Sequence, residues 1–404
     1  MPENRYLLTN AQIVTPDRVI AGGSVAIEGE RIVDVSERTY PAAPDVVDLD
    51  GRFVLPGLID LHADNIEREV APRPGADLDP AFALAAYDRK LAAAGITTQF
   101  HGIYFANKAG FGRSVEHGVA MAEAVHAFQD APHRLVDHNI LHRLDLRTPG
   151  ALDALLSVIG RSSPALISLN EHIPGQGQYG DLAAMRRSIR PSLGSNATDA
   201  DVEAEIVRRM GHVAATDALA HETLTRVAAE SVRRGIVLAS HDDDSPERVD
   251  QMHALGCTIA EFPVSLAAAE RAREIGMHIA AGAPNVVRGR SLAGNTSAID
   301  LVARGLVDLL VADYHAPSLL MAVFRIADAG ILDLAAAARL VTATPAEAVG
   351  LMDRGEIAVG RRADLLVVDR HGGIPTVEAT IVAGVPRALL GAAAGALVRA
   401  GVVA

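Results

Sequence analysis

The chain has 404 residues, 49% of them hydrophobic, with a formal net charge of −13 and a single cysteine. That much apolar material buries a large core, and the length accommodates a (β/α)8 barrel of about 250 residues plus a smaller unit. No basic run interleaved with aromatics is present, which argues against nucleic-acid binding, and the lone Cys257 excludes an intrachain disulfide or a thiolate metal cage.

Alanine-rich stretches at 81–94 and 334–341 are too short, or too interrupted by charge, to cross a bilayer. Residues 1–10 carry Glu3 and Arg5 and show no apolar stretch ending in a cleavage site, so a cytoplasmic protein with no membrane contact is expected.

In chain order, short strands are expected at 6–14, 24–28, 31–35 and 46–48, punctuated by Gly22-Gly23 and Glu28-Gly29-Glu30. Apolar β runs then alternate with helices, the rhythm of a parallel sheet. Eight such runs end near His62, His101, His142, Asn170 to His172, His241, Glu261, Ala281 to Pro284 and Asp313. Helices are expected at 80–94, 115–129, 200–213, 221–234, 245–255, 265–274, 295–304 and 318–329. The β texture returns at 363–369 and 376–382, followed by Gly384. The fold class expected is therefore α/β: a (β/α)8 barrel over 56–354, a small β-sandwich built from 1–55 and 355–390, and a C-terminal tail at 391–404.

The chemistry is expected where the β runs end. In Leu55-Pro56-Gly57-Leu58-Ile59-Asp60-Leu61-His62-Ala63-Asp64, His62 and Asp64 stand two apart on a strand and project together, so they can grip one divalent ion. Imidazole with carboxylate suits zinc, with manganese or iron as alternatives, in one or two ions. His101, His142, His172 and Glu261 also sit at strand ends, as metal ligands or their neighbours. Asp313 closes the apolar run 306–312, where its carboxylate can take a proton from water. Asp242, Asp243 and Asp244 precede Ser245-Pro246-Glu247 and read as a helix N-terminal cluster, with Asp242 also placed to anchor the His241 ring.

Pro56-Gly57-Leu58-Ile59-Asp60-Leu61-His62 resembles the first barrel strand of the amidohydrolase superfamily, whose usual second histidine is replaced here by Asp64. Together with Asn170-Glu171-His172-Ile173-Pro174-Gly175-Gln176, Ser240-His241-Asp242-Asp243, Glu261-Phe262-Pro263, Gly282-Ala283-Pro284-Asn285-Val286-Val287-Arg288-Gly289 and Ala312-Asp313-Tyr314, this is similar to the PhnM-type branch, from the carbon–phosphorus lyase pathway. The resemblance spans nearly the whole chain. It implies His62, Asp64 and His241 as metal ligands, Glu171 as a carboxylate bridging two ions, and Asp313 as the general base. It also directs attention to Arg143, Gln176, Asn285 and Arg288 as phosphate contacts, with Lys108 beside them.

The activity implied is hydrolysis of alpha-D-ribose 1-methylphosphonate 5-triphosphate, or a related phosphorylated sugar, to the 5-phosphate and diphosphate, by a homo-oligomer acting on a small molecule. One departure favours an alternative. The branch generally carries a histidine after Arg288-Gly289, where this chain has Arg290-Ser291-Leu292-Ala293. The same metal site acting on a C–N bond in an amide, lactam or deaminable base is the second reading.

Overall fold

The structure, a computed structural model, describes residues 5–402 apart from 74, 108–112, 172, 174–176, 178–184, 187–188, 195 and 291–295, together with the side chains of 191 and 192. The alternating apolar positions of the first fifty residues form β1 (Arg5–Val14), β2 (Val19–Glu28), β3 (Arg31–Ser36), β4 (Val46–Asp48) and β5 (Phe53–Pro56). Those near the other end form β14 (Leu365–His371), β15 (Ile374–Val382) and β16 (Val385–Leu389). Both sets join one eight-stranded sheet, in the order β16-β15-β14-β5-β1-β2-β3 with β4 paired to β1.

Tyr6, Ile27 and Ile32 share an apolar cluster with Leu365, Val367 and Ile381, so the two ends of this sheet face one another across a common core. The Tyr6 hydroxyl donates to the Gly384 carbonyl at 3.0 Å. A side chain at Gly384 would meet the Gly29 carbonyl oxygen at 2.0 Å, so the turns before β3 and before β16 touch where both have φ above +50°. The segment expected as a tail instead forms the helix Ala392–Arg399, whose Ala393 and Leu397 are buried in the same core.

Between the two β segments lie eight parallel strands in sequential order: β6 (Leu58–Ala63), β7 (Ile96–Phe105), β8 (Asp137–Asp145), β9 (Leu166–Asn170), β10 (Val237–His241), β11 (Cys257–Glu261), β12 (His278–Gly282) and β13 (Leu309–Val311). A parallel bridge between Ala63 and Asp313 closes the first strand onto the end of the last. Every strand contributes to the interior, through Ile59, Leu61, Phe100, Leu141, Leu166, Ala239, Ile259, Ala280, Leu309 and Val311. The barrel is thus a packed core, and chemistry is confined to its rims.

Helices return the chain between strands, and serine side chains cap the two that follow His241 and Glu261. Ser245 accepts from the Arg248 N–H just after β10, and Ser265 from the Ala268 N–H just after β11. Among the described residues no helix is long and apolar enough to cross a membrane.

Candidate active site

Closing the barrel assembles the C-terminal rim. The Asp313 N–H donates to the His62 carbonyl at 2.8 Å, and the Asp64 N–H donates to the Asp313 carbonyl at 2.7 Å. Asp60, buried beneath them, accepts from the His62 N–H at 3.2 Å and the Ala312 N–H at 2.9 Å with one oxygen, and from the Gln99 amide at 2.9 Å with the other. Burial raises the Asp60 carboxyl to about 6, against the pull of these donors. This stitching brings potential ligand atoms of His62, Asp64 and Asp313 within 4.8 Å of one another.

Three non-glycine residues at strand ends here, Asp242, Phe262 and Asp313, have φ of 57°, 55° and 55°. Such strain costs on the order of 1–3 kcal/mol each and persists where the surroundings dictate it, commonly at functional sites. Phe262 uses that turn to set its ring edge-on to both His62 and His241, at centroid distances of 5.0 and 5.4 Å.

Glu261 organises the two imidazoles. Its Oε1 lies 3.0 Å from His62 Nδ1, and its Oε2 lies 3.3 Å from His241 Nδ1 while accepting from the Ser168 hydroxyl at 2.5 Å. With Nδ1–H donating to the carboxylate on each ring, both Nε2 atoms turn toward the rim. Carboxylates commonly orient metal-binding histidines in this way. His62 Nε2 then stands 3.5 Å from Asp64 Oδ1.

Arg143 completes the constellation from β8. Its Nη1 donates to both Asp64 oxygens at 2.5 and 2.6 Å, its Nε and Nη2 to Asn170 Oδ1 at 3.2 and 2.8 Å, and Nη2 lies 3.2 Å from His241 Nε2. Gly102 makes the pairing possible, because a Cβ there would lie 2.8 Å from Asp64 Oδ1 and 3.3 Å from Arg143 Cδ.

The electrostatics favour an added cation. Four carboxylates, Asp64, Asp242, Glu261 and Asp313, gather around one guanidinium. Burial pushes Asp242 and Asp313 up, while Asp64 and Glu261, also buried, are held below the usual carboxylate range by Arg143 and the imidazoles. Burial would lower the His62 imidazole, yet Glu261 overrides it and raises the group to about 10. The pocket thus holds positive charge even on an imidazole. Asp242 Oδ2 is buried without a hydrogen-bond partner. Mixed imidazole and carboxylate donors with an excess of negative charge fit a divalent metal ion.

Comparison with known proteins shows the family and the fold. Residues 192–389 match the model of the Amidohydrolase family. The alpha-D-ribose 1-methylphosphonate 5-triphosphate diphosphatase of Escherichia coli strain K12 is 34% identical over 366 residues, which are 90% of this chain and 95% of that protein. The chain belongs to the amidohydrolase family. Its fold is shared with the dihydropyrimidinase of Brevibacillus agri NCHU1002, at TM-score 0.62 and 13% identity over 96% of this chain and 97% of the other. The N-acetylglucosamine-6-phosphate deacetylase of Pasteurella multocida gives TM-score 0.63 and 13% identity over 94% and 98%.

Not every expected site residue of this amidohydrolase joins the cluster. Glu171, expected to bridge two ions, instead meets Arg147 at 2.5 Å and Arg248 at 3.1 Å. The two guanidiniums, from the loop after β8 and the helix after β10, draw it aside. Among the described residues, the carboxylate between the two histidines is Glu261. Arg143, expected to contact phosphate, has every guanidinium nitrogen engaged within the site. Asn285 lies on the helix Ala283–Arg288 with Oδ1 buried and without a hydrogen-bond partner, and Arg288 is exposed at that helix's end. His172, Gln176, Lys108 and Leu292 lie outside the described residues.

The aspartate run differs too. Ser245 caps the helix, Asp243 accepts from the Ser240 hydroxyl, and Asp244 accepts from the Gly177 N–H at 2.9 Å. Asp242 stays 3.7 Å from His241 Nε2, so Glu261 and not Asp242 anchors that ring. Ser168 and Asn170 were not anticipated as participants. Both occupy inward positions on β9 in a run whose end had been identified, but nothing local reveals what they face.

His101 and His142 point outward from the barrel. β7 and β8 run several residues past or around them, and pleating puts Phe100 and Leu141 inside while their neighbours face the helices. His101 Nε2 lies 2.8 Å from His138 Nδ1, and His138 Nε2 lies 3.0 Å from Asp88. His142 Nδ1 meets the Leu166 carbonyl at 3.0 Å and its ring stacks on Phe105.

This placement carries a pH dependence. Burial lowers the His142 imidazole from 6.5 to about 4, the Leu166 carbonyl opposing only in part. As pH falls below the unfolded value the unfolded chain takes up a proton that the folded chain refuses, so stability present above about pH 6.5 is lost on the way to about pH 4. The loss is on the order of 3 kcal/mol. Urea unfolding at pH 7 and pH 4.5 should show a smaller decrease for His142→Gln than for the wild type. His101, lowered in the same direction by burial, contributes equally to both proteins. Equal decreases would remove His142 from this role.

Proposed function

We propose that this amidohydrolase is a metal-dependent phosphoanhydride hydrolase. It converts alpha-D-ribose 1-methylphosphonate 5-triphosphate, or a closely related phosphorylated sugar, to the 5-phosphate and diphosphate. The observation that carries the reading is the joining of His62, Asp64 and Asp313 at the barrel closure, in a chain 34% identical to a diphosphatase along nearly its full length.

His62, Asp64 and Asp313 would hold the ion, which we assign as zinc because imidazole and carboxylate donors suit it. A divalent ion in that position lowers the pKa of water and neutralises charge developing on phosphoryl oxygens. Asp313, its carboxyl raised by burial, accepts the proton of the attacking water and returns it to the departing diphosphate. Water's oxygen bonds to the α-phosphorus as the bond to the bridging oxygen breaks. Asn285, with its unpartnered Oδ1, and Arg288 lie on the helix after β12 and supply contacts to the substrate from that side.

A product assay separates this from cleavage of a C–N bond. Zinc-loaded protein given the ribose triphosphate should release diphosphate and the 5-phosphate in equal amounts. Given dihydrouracil or N-acetylglucosamine 6-phosphate, it should release no carboxylate product. The opposite result would transfer the site to amide chemistry.

A further inference from the structure

Among the described residues Arg143 is a permanent cation in the midst of the donors, and its partners are those that a second metal ion would need. Arg143 is 2% exposed and lies between Asp64 and His241. Because His241 Nδ1 faces Glu261, the lone pair on His241 Nε2 accepts from Arg143 Nη2 at 3.2 Å. A ring nitrogen so engaged has no lone pair to give a metal. His62 Nε2 faces Asp64 at 3.5 Å, and among the described residues no guanidinium hydrogen bond to it is seen.

We propose that Arg143 is a fixed cation standing in the place of a second divalent ion, so that this amidohydrolase takes up one ion, on His62, Asp64 and Asp313. The inference rests on the metal-dependent reading above and sets the stoichiometry of that site. Asp64 serves both cations, since each carboxylate oxygen has lone pairs for a guanidinium hydrogen bond and a metal bond.

Three features make the guanidinium a fixture. Asn170 holds it by two hydrogen bonds, the Tyr104 ring lies 4.1 Å beneath its central carbon, and Gly102 leaves bare backbone where a Cβ would collide with Asp64. A guanidinium does not lose its proton in proteins, so the charge is present at every working pH and no chelator removes it. One divalent ion beside a monovalent cation also repels less than two divalent ions would across the same few ångströms.

Metal counting tests this directly. Protein stripped with chelator, incubated with excess ZnCl2 and dialysed should hold one zinc per chain by elemental analysis. With Mn2+ the electron paramagnetic resonance spectrum should be that of an isolated ion. Arg143→Met removes the guanidinium from His241 Nε2 and from one side of Asp64, and should raise the count to two, with a spin-coupled Mn2+ spectrum. Arg143→Met combined with His241→Asn should return it to one. Two ions per wild-type chain, or a folded Arg143→Met protein that still holds one, would overturn the proposal. The wild-type count decides the matter even where the variant fails to fold. A wild-type chain that binds no ion overturns the metal-dependent reading itself, a different outcome.

Discussion

Asp313→Asn lowers turnover by about 10² or more when zinc is supplied in excess so that the site is filled. The amide keeps the shape of the side chain and one oxygen for the metal, and the backbone bonds that close the barrel through the Asp313 N–H and carbonyl are untouched. What it loses is the capacity to accept a proton. A fall of 10² in rate corresponds to about 2.7 kcal/mol of transition-state stabilisation. The measurements are steady-state diphosphate release and elemental analysis on the same preparation. Unchanged turnover would take the base role from Asp313, and loss of zinc would make it chiefly a ligand.

Glu261→Gln weakens zinc binding by about 10- to 100-fold, the usual consequence of disturbing a partner that orients a metal-binding imidazole. The wild-type carboxylate accepts from Nδ1 of both rings at once. Glutamine offers one acceptor oxygen and one amide donor, so one ring must present an unprotonated Nδ1 and carry its proton on Nε2, facing the rim. If that ring is His62, a ligand position is lost. If it is His241, its Nε2–H opposes the guanidinium of Arg143. Removing the anion also leaves the buried His62 without the partner that raised its imidazole to about 10. Competition against a chelator of known affinity reads the effect, and an undiminished zinc affinity would mean that Glu261 does not orient the ligands.

Both residues stand at strand ends and are legible as site candidates, whereas the joining of two imidazoles by Glu261 is not. Eight apolar β runs separated by amphipathic stretches determine a closed parallel barrel, because such runs bury both faces only when helices cover the outside. The β texture at both ends determines the second unit. His62 and Asp64, two apart at a strand end, and Asp313, closing an apolar run, are legible because each rests on a local pattern, strand alternation or the point where hydrophobicity stops.

Only the tertiary structure decides which strand face meets the site, and which charges pair. Alternation is local, but its phase depends on register with neighbouring strands and on what packs against each side, so His101 and His142 face the helices while Arg143, one residue on, faces the rim. Glu261 lies 199 residues from His62, and Glu171 is 77 residues from Arg248. Such pairings have no signature along the chain, because they are set by the closing of the barrel and by which guanidinium reaches a carboxylate first.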